Sequence, residues 1–225
     1  MGETGLRVER VRWEDMEYLV GALAASTDEH GPHHPQTLAA AHRLAVGFWS
    51  NGDTQSAIGL LDQILKTITN EAAPLDVIGV DALNTLGKIL FQERHLEQAC
   101  AIHREVLEFH LDRNGPTHPD ALAAQGDLAT VLFELGDTRD ADALEQDAFS
   151  RAQQHLTGRH PVRSVLAWHV ALTCQRNGNA EGFKRALAEE LLWLLAEEPK
   201  NLEPDQRAIR MLLEERLQWN TASRC

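Results

Sequence analysis

A tripeptide that keeps returning constrains this chain more than its composition does. Asn51-Gly52-Asp53 recurs in altered form as Glu93-Arg94-His95, Leu135-Gly136-Asp137 and Asn177-Gly178-Asn179, each 42 residues after the last. A fixed period of this size marks a repeat architecture, in which each unit is one supersecondary element that cannot bury its apolar face alone. Seven positions before each central residue stand Ala45, Gly87, Ala129 and Ala171, all small, each preceded by an apolar residue: Leu44, Leu86, Leu128 and Val170. A close helix crossing accounts for small side chains at one register position. After each turn come Ala57, Ala99, Ala141 and Phe183, then Leu60, Ile102, Leu144 and Ala186. That spacing fits one face of a second helix. Each period therefore predicts a helical hairpin, with the recurring tripeptide as its turn.

The entry to the first helix repeats as well. Gly31-Pro32-His33-His34-Pro35 matches Gly115-Pro116-Thr117-His118-Pro119 two periods later, and His160-Pro161 falls one period after that. Proline at the first helical position loses no hydrogen bond, because that amide has no intrahelical partner, and its ring presets φ. The second period carries Asp76-Val77 instead.

These turns, small positions and entry prolines resemble the tetratricopeptide repeat family. The His-Pro entry and a period of 42 residues, rather than about 34, are similar to its kinesin light chain branch, and the resemblance covers about residues 31 to 200. It implies an all-α fold, a right-handed superhelical solenoid of about four helical hairpins with single capping helices at both ends. The expected division is an N-terminal segment and capping helix over 1–30, repeats over 31–73, 74–114, 115–157 and 158–200, and a C-terminal capping helix and tail over 201–225. The flanking helices are expected over 12–26, with Trp13, Met16, Tyr18, Leu19 and Leu23, and over 204–219, with Ile209, Leu212, Leu213 and Leu217.

The resemblance further implies a concave groove lined by the first helix of each hairpin. With the small residue counted as the eighth helical position, the fifth, ninth and twelfth return to nearly one side at 3.6 residues per turn. They are His42, Val46 and Trp49; Asn84, Lys88 and Phe91; Gly126, Thr130 and Phe133; and Trp168, Leu172 and Gln175. Trp49, Phe91 and Phe133 offer an apolar strip for peptide side chains, with His42, Asn84, Lys88 and Gln175 as polar contacts. Packing against a neighbouring helix is the other reading of aromatics at this spacing. In kinesin light chain relatives asparagines of this helix hold the backbone of a bound peptide, and Asn84 is the clear match here.

Net charge narrows the partner. With 34 acidic and 21 basic residues the formal charge is −13, which repels nucleic acid and anionic lipid and makes a basic or neutral protein surface the easier match. No window approaches the roughly 18 apolar residues of a membrane span, and the first residues lack a secretory signal's apolar stretch. Cytoplasmic residence is expected, and the widely spaced Cys100, Cys174 and Cys225 suit a reducing compartment.

No catalytic motif, metal-ligand set or cofactor loop is present. His30, His33 and His34 share a loop without a recognised ligand spacing, and His103 and His110 read as surface histidines. Asp140, Asp142, Glu145 and Asp147, like Glu189 and Glu190, read as solvated helix faces. The function expected is a non-catalytic scaffold or adaptor that binds a protein or peptide in the groove. A regulatory sensor of a small molecule or signalling peptide is the alternative, ahead of a pathway enzyme or accessory protein using the groove as an active site. Homodimerisation through an end helix or the groove stays open.

Overall fold

The computed structural model describes residues 12–70 and 76–222, and every regular element among them is helical. The elements are α1 (Trp13–His30), α2 (Pro35–Ser50), α3 (Thr54–Asn70), α4 (Val77–Gln92), α5 (Leu96–Asn114), α6 (Pro119–Glu134), α7 (Thr138–His155), α8 (Pro161–Arg176), α9 (Ala180–Ala186), a π-helical turn (Leu187–Leu191), α10 (Trp193–Ala196), a 3-10 turn (Pro199–Asn201) and α11 (Pro204–Ala222).

Each predicted turn is a helix-ending motif closed in the left-handed region. The central residues Gly52, Arg94, Gly136 and Gly178 have φ of 86°, 65°, 91° and 70°. The amide that follows each reaches back five residues: Asp53 to Phe48 O at 2.9 Å, His95 to Leu90 O at 2.8 Å, Asp137 to Leu132 O at 3.0 Å and Asn179 to Cys174 O at 2.8 Å. These bonds satisfy carbonyls that the helix end would otherwise leave open. Arg94 holds this conformation with a side chain, at a steric cost that glycine avoids.

Helix starts explain the His-Pro pairs. His34, His118 and His160 are N-caps whose Nδ1 accepts from the amide two residues on, Gln36 at 3.3 Å, Asp120 at 3.3 Å and Val162 at 3.2 Å, with proline next in line. Where the pair is missing, Asp76 takes over and accepts from Gly79 N at 2.8 Å. One capping role is thus filled by two residue types.

Two compact units result, with described residues 12–109 in one and 110–222 in the other. In the N-terminal unit α1 packs on α2, α2 on α3 and α4, and α3 on α4. Its core gathers Leu38, Ala45, Leu61, Ile64, Ala82 and Ile89. In the C-terminal unit α6, α7 and α8 pack on one another, and α8 also meets α9 and α11. One core joins Leu122, Ala148, Ala152 and Leu166; another joins Trp168, Leu172, Leu191, Leu194, Ile209 and Leu213.

The four small positions are buried, and Ala45 and Ala171 have no exposed surface. A Cβ on Gly87 would lie 2.9 Å from His103 Nε2, so the close approach is real. Replacing Ala45 with leucine is expected to cost about 1 to 3 kcal/mol through overpacking, read as a lower denaturant midpoint for the variant. A midpoint equal to wild type would put the helix crossing elsewhere.

Three expectations change. His103 is not a surface histidine but a buried one, because it fills the space opposite Gly87. Glu145 and Glu190 are buried rather than solvated. In α1 Met16 is buried but Tyr18 points to solvent, two residues round the helix. The last period is also irregular: the second helix breaks into α9, the π turn and α10, after Phe183 replaces the alanine of earlier periods. Of the capping residues, the side chains of Trp13 and Leu217 lie outside the described residues, while Ile209 and Leu213 are buried.

Candidate functional site

In the N-terminal unit the predicted positions lie on α2 and α4, two helices in direct contact. His42, Val46, Trp49, Asn84, Lys88 and Phe91 are each partly exposed. Two bonds tie the helices together along this side: His42 Nε2 lies 2.9 Å from Thr85 Oγ1, and the Trp49 indole N–H donates to Gln92 Oε1 at 2.8 Å. Both join residues 43 apart, one period plus one. Trp49 also packs against the core, so part of its ring is structural. Burial lowers the pKa of His42, against the raising influence of Asp81, which favours a neutral imidazole. Asn84 Oδ1 is buried with no hydrogen-bond partner.

In the C-terminal unit the predicted set divides. Trp168 is 1% exposed and Leu172 8%; both sit in the core with Leu194 and Ile209, because α11 packs over α8. The expected place of Trp168 in a groove is corrected to a place in the interior, and Leu172 keeps only an edge toward a cleft. Gln175 is exposed and accepts from Arg216 at 2.7 Å. Gly126 is buried, and a Cβ there would lie 2.8 Å from Leu166 Cδ2. Thr130 and Phe133 stay partly exposed, and Thr130 Oγ1 donates to Gly126 O at 3.0 Å.

Thr130 and Phe133 open onto a small cleft, partly open to solvent, that Ala129, Glu145, His169, Leu172 and Arg176 also line. The guanidinium of Arg176 lies 3.6 Å from the centre of the Phe133 ring, again a pair 43 residues apart, and donates to Thr173 Oγ1 at 2.6 Å. Thr173 in turn donates to Glu145 Oε2 at 3.0 Å. Glu145 is only 6% exposed, and its Oε1 has no hydrogen-bond partner. Burial pushes its carboxyl up from 4.5 to about 7, with Asp142 adding to the rise and the Thr173 bond and Arg176 charge opposing it. The same burial, with Glu145 nearby, raises the thiol of Cys174, away from the reactive thiolate.

Sequence reasoning missed Glu145, His169 and Arg176. Glu145 lies on a second helix among other acids, and Arg176 stands one step past the twelfth position. The 43-residue offset is the signal that would have found Arg176. Among the described residues no three His, Cys, Asp or Glu side chains gather as a metal site, and no helix is long and apolar enough to cross a membrane.

Residues 80–154 match the tetratricopeptide repeat family model. Among solved structures, the chain is similar to the nearly identical TPR-like repeats of a Podosopora anserina protein described as a kinesin light chain, at 23% identity and a TM-score of 0.62, over 78% of this chain and 83% of that one. A single-substitution variant of that protein gives a TM-score of 0.63 at the same identity, over 78% and 82%. BtubC (BKLC) from P. vanneervenii aligns over 93% of this chain and 91% of its own, with a TM-score of 0.68 at 10% identity. These similarities are likenesses of fold. No curated protein matches the sequence.

Proposed function

We propose that this chain, which matches the tetratricopeptide repeat model over residues 80–154, is a non-catalytic scaffold that binds a protein or peptide partner along the exposed side of α2 and α4. The supporting observation is that His42, Val46, Trp49, Asn84, Lys88 and Phe91 all keep surface there while Leu44, Ala45, Gly47, Gly87 and Ile89 between them are buried. Asn84 adds an acceptor with no partner of its own, of the kind a peptide N–H completes. The net charge of −13 favours a basic partner. A cytoplasmic, reducing setting suits the free thiols of Cys100 and Cys174.

The cleft of the C-terminal unit bears on the alternative of a small-molecule sensor. Its enclosed space is only about 20 Å³, roughly what one water-sized group needs, so it admits the tip of a side chain rather than a ligand that fills the roughly 300 to 1,000 Å³ of a small-molecule site.

The test is capture of partners from native lysate by wild type and by an Asn84→Ala/Phe91→Ala double variant, with bound proteins identified by mass spectrometry. These two are chosen over Trp49 because its ring also packs on the core. A specific protein should be held by wild type and weakened at least about tenfold, roughly 1.4 kcal/mol, in a variant of unchanged melting temperature. Equal retention by both, or no specific protein at all, overturns the reading.

A further inference from the structure

We propose that the cleft between α6, α7 and α8 is a socket for a primary ammonium group, the end of a lysine side chain, with Glu145 as its counter-ion. Three observations in one place carry this. Glu145 is more than nine-tenths buried, yet Oε1 is left without a donor; an acceptor kept dry and unpaired is costly unless something completes it. Phe133 presents the aromatic face and Leu172 and Ala129 the apolar wall that a four-carbon stem needs. The chemistry the cleft accepts is already visible, since a cation lies over Phe133 and beside Glu145: the chain's own Arg176.

Arg176 is therefore a resident competitor. It is exposed, its guanidinium reaches Glu145 only through Thr173, and it leaves Oε1 open. An incoming ammonium that displaces it from the ring makes the direct bond that Arg176 does not. The charged groups facing Glu145 are Arg176 from α8 and Asp142 on its own helix, and His169 of α8 lines the same space. An ammonium bound to Glu145 favours the ionised carboxylate, so binding releases the proton that burial retains and tightens as pH rises. The overall negative charge supplies attraction at longer range.

That a lysine of a bound partner supplies the ammonium rests on the scaffold reading above, but the probe does not. n-Butylammonium chloride is titrated into the full chain, with backbone amide shifts recorded by NMR and n-butanol as the neutral control. Saturable shifts at Thr130, Phe133 and His169 are expected, with a dissociation constant on the order of 1 mM and at least about tenfold weaker binding of butanol. Glu145→Gln should weaken the amine at least about tenfold. Arg176→Ala should tighten it several-fold, a direction that a merely structural arginine would not give. Affinity should also rise between about pH 6 and about pH 8.

Equal binding by wild type and Glu145→Gln, weaker binding by a folded Arg176→Ala, or no saturable shift overturns the socket. Each of these results leaves the α2–α4 reading standing. Equal retention by both proteins, or no specific protein, in the lysate experiment, with amine binding intact, overturns that reading and leaves the socket.

Discussion

Replacing Arg163 with alanine is expected to destabilise the C-terminal unit by about 3 to 5 kcal/mol, the usual result of stranding one partner of a buried ion pair. Arg163 meets Glu190 in a two-pronged contact, Nε to Oε2 at 2.7 Å and Nη2 to Oε1 at 2.8 Å, and the Glu190 side chain is only 5% exposed. Gln153 donates to the same carboxylate at 2.9 Å, and Arg163 Nη1 also reaches Leu156 O at 3.2 Å. The pair thereby ties α7, α8 and the π turn together. Burial pushes the Glu190 carboxyl up, but the hydrogen bonds from Arg163 and Gln153 and the Arg163 charge outweigh it and hold the pKa low. The pair's contribution is therefore present above the unfolded carboxylate range and fades as pH falls. Urea unfolding followed by tryptophan fluorescence should show the full deficit of Arg163→Ala at neutral pH and a smaller one in acid, where Glu190 takes up a proton. A deficit under about 1 kcal/mol at neutral pH would class the contact with surface pairs.

The fold was legible because the constraints that make it are local and repeated. A left-handed turn residue, a cap with proline behind it and a small residue at a crossing each leave a mark at fixed spacing, and four copies separate mark from accident. The outward register was legible on α2 and α4, where His42, Val46, Trp49, Asn84, Lys88 and Phe91 keep partial exposure. It failed on α8 because nothing within a 42-residue window announces that α11 returns to cover Trp168 and Leu172. The buried acids were illegible for a related reason. Glu145 and Glu190 stand among exposed carboxylates, and only the three-dimensional partners, Thr173 for one and Arg163 for the other, distinguish them from a solvated face. The π turn that brings Glu190 inward has no sequence rule of its own.

Glu145→Gln is expected to make the protein more stable at about pH 8, by up to about 3 kcal/mol, while leaving it close to wild type near pH 4.5. The wild-type carboxyl moves from 4.5 to about 7 on folding, because burial penalises the charged form. With the folded pKa above the unfolded one, the native state binds the extra proton, so the group's contribution is complete below about 4.5 and is lost as pH rises through about 7. At roughly 1.36 kcal/mol per pKa unit the loss comes to a little over 3 kcal/mol. Glutamine keeps the shape and does not ionise, so the difference between variant and wild type isolates Glu145 from the opposite slope that Glu190 imposes. Urea midpoints at several pH values measure it, and parallel profiles for the two proteins would refute the assignment. A chain selected for stability alone has no reason to keep an ionisable group at a position where its neutral isostere does better at neutral pH. A stabilising change that also abolishes ammonium binding would show that the stability is forgone for a site; a stabilising change that leaves amine binding untouched would make Glu145 a titrating core residue and nothing more.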